Sequence, residues 1–166
     1  MLQVQEDLNA PEWYDAQFTG CDAIVPKLNT ILTDVEDLPR INELAKSLQE
    51  LKASGQLTKF KAVVGATQCE SLDDVFDRLE KLPQYCFETK IRDKNALVRD
   101  ELEFVLGGKD AELIYRNLNQ EAYANDILRQ YGAKLTPYGM VNRADFGPLN
   151  EPIPEQEETH EPQMGM

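Results

Sequence analysis

The chain has 166 residues, 42% of them hydrophobic, which is enough for one sizeable core or two small linked ones. Its formal charge of −13 argues against nucleic acid or an anionic membrane as a direct partner, because phosphate binding draws on Lys and Arg rather than carboxylates. Cys21, Cys69 and Cys86 form an odd set without metal-type spacing, and no basic region followed by an apolar run opens the chain, so free thiols in a cytoplasmic setting are expected.

The charge is unevenly spread: −7 over residues 1–50, +1 over 51–100, −1 over 101–144 and −6 from Asp145 onward. Residues 1–21 form an acidic arm in which Trp13, Tyr14 and Phe18 either dock on the core or wait for a partner as an exposed patch. From Asp22 to Thr33, β-branched residues around Pro26 predict an edge strand. The next stretch organises the protein. Leu38, Ile41, Leu44, Leu48 and Leu51 form one helical stripe, with Asp37 as the cap and Gly55 as the stop. Leu57 to Gly65 predicts a second helix, and Ser71 with Asp74 predicts a capping box for a third that runs through Leu72, Val75, Phe76, Leu79 and Leu82.

Tyr85, Phe87, Thr89 and Ile91 alternate with polar neighbours, which predicts a strand with one buried face over 84–92. Asp93 or Asn95 then caps a helix through Leu97, Val98, Leu102, Val105 and Leu106, closed by Gly107 and Gly108. Asp110 opens a short helix holding Leu113 and Ile114, and Asn119 leads into another with Ala122, Tyr123, Ile127 and Leu128. Residues 134–143 predict a turn and a final short strand. From Asp145 the Pro- and Glu-rich composition predicts a disordered acidic tail.

The chemistry available is narrow. His160 is the only histidine and sits in that tail, which removes hydrolytic triads, most general-base schemes and zinc sites. No phosphate-cradling glycine motif is present, and no cofactor is expected. Asp34, Glu36 and Asp37 lack the downstream Gly and Glu of a calcium loop, while Asp73, Asp74 and Asp77 occupy the first turns of a helix, where negative charge suits the macrodipole. Lys59, Lys61, Lys90, Arg92 and Lys94 lie near Tyr85 and Phe87, but the surrounding negative field speaks against a nucleic-acid surface. Without a histidine to activate them, Cys69 and Cys86 read as small core residues.

Two segments resemble the ArdA-type antirestriction proteins of conjugative plasmids and transposons. The first runs from Asp34 to Leu51, an acidic turn followed by Ile41-Asn42-Glu43-Leu44 and a helix, with a second start at Ser71-Leu72-Asp73-Asp74. The second is Ala122-Tyr123-Ala124-Asn125-Asp126-Ile127, similar to that family's Ala-Tyr-Gly-x-Asp-Leu stretch, followed by Tyr138-Gly139-Met140-Val141. Ala124 stands where the family usually has glycine. The resemblance covers about residues 22–143 and implies a shortened form, because residues 1–21 are too few to build the family's N-terminal domain.

The resemblance implies an α+β fold and a non-enzymatic DNA mimic on a mobile genetic element. Family members are acidic homodimers that occupy the DNA groove of type I restriction-modification enzymes. The partner would thus be a basic DNA-binding protein rather than nucleic acid or membrane. The carboxylates available for that contact are Asp34, Glu36, Asp37, Glu43, Asp73, Asp74, Asp77, Glu80, Glu101, Glu103, Asp110 and Glu112. The alternative is an accessory interaction module that contacts another protein without mimicry; a small enzyme with paired carboxylates is a third reading. The expected organisation is an arm over 1–21, a helical subdomain over 22–92, a second over 93–144 and the tail over 145–166, with the subdomains joined near Tyr85 to Asp93.

Overall fold

The structure, a computed structural model, describes residues 22–32 and 38–154. The expected cap at Asp37 therefore lies outside the described residues, as do the arm, Asp34, Glu36 and Cys21. A short helix α1 (Leu28–Ile31) is followed by α2 (Leu38–Ala53), α3 (Leu57–Ala66) and α4 (Leu72–Glu80). A 3-10 turn at Leu82–Gln84 leads into β1 (Tyr85–Glu88). Then come α5 (Lys94–Val105), α6 (Gly108–Asn117), α7 (Gln120–Gln130), β2 (Lys134–Thr136) and β3 (Gly139–Arg143). The class is α+β, mainly helical, with one three-stranded antiparallel sheet in the order β1-β3-β2.

Local chemistry accounts for most of these boundaries. The Ser71 hydroxyl accepts from the Asp74 N–H at 3.2 Å while the Asp74 carboxylate accepts from the Ser71 N–H at 3.0 Å, so both halves of the capping box form. Asp93 caps α5 by accepting from the Ala96 N–H at 2.8 Å, and Asn119 caps α7 by accepting from Ala122. These side chains satisfy N–H groups that a helix start leaves without partners.

The sheet serves two cores. On one face Tyr85, Phe87 and Val141 join a large cluster built around Phe60, Val63 and Val64 of α3, with Leu28, Leu44, Leu72 and Val75. On the other face Leu135 and Met140 pack against a smaller cluster made by Ile91, Leu97, Val98 and Leu102, Ala111 and Tyr115, and Ala124 and Ile127. Phe87 sits opposite Val141 and Leu135 opposite Met140, so the two-residue period of β3 sends neighbouring side chains to different cores. Ala124 is fully buried in the smaller cluster, where its methyl group adds to the packing.

Several expectations are corrected. Residues 22–27 form bends and a turn, and 28–31 a helical turn, so the expected edge strand is not there; Pro26 sits in the turn that opens α1. Gly65 lies inside α3 rather than ending it, and α6 begins at Gly108, two residues before Asp110. β1 stops at Glu88, and Ile91 enters the second core from the turn that follows. Residues 134–143 form a hairpin rather than one strand, and β3 is the central strand of the sheet.

The acidic tail was expected from Asp145, yet residues 145–154 are a strap laid on the larger core. Leu149 and Ile153 are buried there, and the Gln68 N–H donates to Asn150 Oδ1 at 3.1 Å. Arg143, only 3% exposed, holds the strap: its guanidinium donates to the Asp145 carboxylate and to the carbonyls of Pro148 (3.0 Å) and Glu151 (3.1 Å). Gly147 permits this approach, since a Cβ there would stand 2.8 Å from the Arg143 guanidinium carbon. Residues 155–166 lie outside the described set.

Candidate acidic interaction surface

The candidate carboxylates divide by what surrounds them. Asp34, Glu36 and Asp37 lie outside the described residues. Asp73 accepts from Arg40 at 2.5 Å across the α2–α4 contact, and the same guanidinium lies 5.3 Å from the Phe76 ring centroid. Asp77 is shared between Arg78 and Lys81, the latter at 2.6 Å. Glu112 joins Arg99 at 2.8 Å and Arg116 at 2.9 Å, and Arg99 stacks 3.8 Å from the Tyr115 ring centroid. Those guanidiniums, Arg116 first and Arg99 second, hold the Glu112 carboxyl below the ordinary carboxylate range.

Three further members carry out local structural tasks. Asp74 is committed to the capping box, and the Glu70 backbone N–H, followed by the Ser71 hydroxyl and N–H, lowers its pKa. Glu101 accepts from the Tyr131 hydroxyl at 3.4 Å, and its charge pushes that phenol upward. Glu103 accepts from the Gly108 N–H at 3.2 Å and so caps the start of α6. Among the described residues Asp74, Glu101 and Glu103 form no ion pair with Lys or Arg, and neither do Glu43, Glu80 and Asp110, whose carboxylates accept no hydrogen bond from a neighbour either.

The described residues hold 19 of the 30 carboxylates and all 17 Lys and Arg, a balance of −2. Residues 1–21, 33–37 and 155–166 hold the other eleven carboxylates and no Lys or Arg. The body is therefore nearly neutral, with six of its 19 carboxylates in ion pairs, and most of the excess negative charge belongs to sequence outside it. Of the candidate carboxylates on the body, Asp73, Asp77 and Glu112 are ion-paired with its own Lys and Arg.

Other chemistry is sparse. Among the described residues no three His, Cys, Asp or Glu side chains come together as a metal site requires, and no helix is long and apolar enough to cross a membrane. Cys69 is buried and its thiol is pushed up by that burial, whereas Cys86, expected in a core, is exposed on β1. Lys59 is lowered by partial burial, with the neighbouring Cys86 acting in the opposite sense. Tyr85 is 2% exposed, so it offers no ring for stacking on a base, and its hydroxyl has no hydrogen-bond partner among the described residues.

Two features escape a reading of the sequence alone. Arg143 looks like an ordinary strand residue; the signal that it is an anchor is its position just before Asp145 and Gly147-Pro148. The second is an apolar run facing outward: Phe104 is 87% exposed and Leu113 62%, with Val105, Leu106 and Ile114 also exposed. Helical spacing places Val105 and Leu106 in line with Leu97, Val98 and Leu102, and Leu113 and Ile114 on the helix that follows. The small core ends at Leu102, and Ala111 with Tyr115 forms the buried stripe of α6, which leaves Leu113 on the opposite side of that helix.

No protein-family model matches the chain, and no curated protein or solved structure does so either.

Proposed function

We propose that this protein is a non-catalytic binding protein that competes with DNA for a basic cleft, such as the DNA-recognition part of a type I restriction-modification enzyme. The observation that carries this reading is the segregation of charge. Eleven carboxylates without one Lys or Arg among them lie in residues 1–21, 33–37 and 155–166, beside a body balanced to −2. A polyanionic stretch offers a basic cleft the sign of field that the cleft uses to hold phosphates, and a nearly neutral body does not oppose the approach. The reading keeps the antirestriction class implied by the family resemblance and moves the working charge off the body's ion-paired helices. Glu43, Glu80 and Asp110 can still add to it.

A second reading has its own support: the exposed run from Phe104 to Ile114 suits contact with another protein, or with a second copy of this chain, without any mimicry of DNA. One experiment separates the two. Under the first reading, binding of the full chain to a purified type I restriction-modification complex is competed by duplex DNA and weakens steeply as salt rises. Under the second, binding persists in high salt and in the presence of DNA, and it falls when Phe104 and Leu113 are replaced by Ser.

A further inference from the structure

Between α1 and α2 runs an apolar groove of about 340 Å³, at the small end of the roughly 300–1,000 Å³ range of ligand pockets. Ile24 and Leu28 line it from the α1 side and Leu44 and Leu48 from α2, where Lys52 is the lining residue nearest the C-terminal end of the helix. Ile24 is 48% exposed, so this face of the molecule spends a large apolar side chain on water. An opening of this size admits one or two aromatic rings rather than a folded partner.

The adjoining sequence has matching chemistry. The described chain begins at Asp22, and Ala23 already lines the groove, so residues 1–21 lead directly to its wall. That segment contains Glu12-Trp13-Tyr14-Asp15 and Phe18, rings interleaved with carboxylates, and it has four acidic residues and no basic one. An extended chain covers about 3.3 Å per residue, which puts both Phe18 and Trp13 within reach. The apolar walls complement the rings, and the Lys52 ammonium complements the flanking carboxylates. We infer that the groove between α1 and α2 is the seat of the aromatic segment 12–18 of the same chain, with Trp13 or Phe18 between Ile24 and Leu48 and an acidic neighbour facing Lys52. This contact does not rest on the DNA-competition reading and takes from it at most the one carboxylate that faces Lys52.

Trp13 is the only tryptophan, so its fluorescence in the full chain reports the contact directly. The expected result is native emission to the blue of that in denaturant and several-fold slower quenching by acrylamide, both independent of protein concentration. Ala45→Glu, at an exposed position on the groove wall, should return both to denatured-like values while the far-ultraviolet circular dichroism stays unchanged; Lys52→Glu should do so in part. Should Ala45→Glu lose helicity, Ile24→Asp on the facing wall supplies the same reading. Native emission already equal to that in denaturant overturns the inference. So does a blue shift indifferent to every groove variant, or one that depends on concentration and thus reports a second copy.

Discussion

The carboxylates of the described body and those in the base-free segments differ in the company their own sequence gives them. In the body, Asp73, Asp77 and Glu112 each hold a guanidinium, Asp74 caps the start of a helix, and Glu101 and Glu103 accept from local donors. In residues 1–21, 33–37 and 155–166 eleven carboxylates have no Lys or Arg within their own segments. The same residue types therefore take local structural roles in one place and stand in base-free sequence in the other. Net charge alone conceals this, because −13 describes neither region.

That contrast can be broken from the structural side first. Arg143 should be the most costly body charge to lose: Arg143→Met leaves the Pro148 and Glu151 carbonyls and Asp145 without their shared donor, at a cost of about 3 kcal/mol. A urea midpoint essentially unchanged from the wild type would show that the strap is not anchored there. Ser71→Ala should cost about 1 kcal/mol, because it removes the acceptor for the Asp74 N–H at the start of α4.

A pH series sharpens the comparison. The Asp74 pKa is lowered in the folded protein, so its contribution is present above its unfolded value and fades as the pH falls through the folded one. Asp74→Asn should accordingly narrow the gap between stability at neutral pH and at acid pH; an unchanged gap would mean that the carboxylate does not favour the ionised form there. The smallest effects belong to the exposed pairs. Asp73→Asn and Glu112→Gln should leave the thermal midpoint close to that of the parent, because solvent and salt screen such contacts. A large drop from either would make these pairs structural keystones.

Much of the fold was legible from residue spacing. The stripes at Leu44 and Leu48, the Ser71–Asp74 box, the Asp93 and Asn119 caps and the alternation at Tyr85 and Phe87 are local patterns, and local geometry decides them. What spacing could not show is set by distant partners. Leu149 and Ile153 look like isolated apolar residues in a polar tail, yet Arg143, held in the central strand, captures the carbonyls around them. Val105 and Leu106 follow the helical spacing of Leu97, Val98 and Leu102, but the second core is too small to cover them. The candidate site was legible as a set of carboxylates and not as a surface. Whether Asp73 or Glu112 is free depends on Arg40 and Arg99, which lie 33 and 13 residues away in sequence.

The most direct measurement compares two variants for association with a purified type I restriction-modification complex at low salt. One converts Asp34, Glu36, Asp37, Glu155, Glu157, Glu158 and Glu161 to their amides, and the other does the same for Asp73, Asp77 and Glu112. The first should slow association by about tenfold or more and flatten its salt dependence, whereas the second should track the parent. Equal association by the first variant and the parent, or a loss confined to the second, would contradict the account.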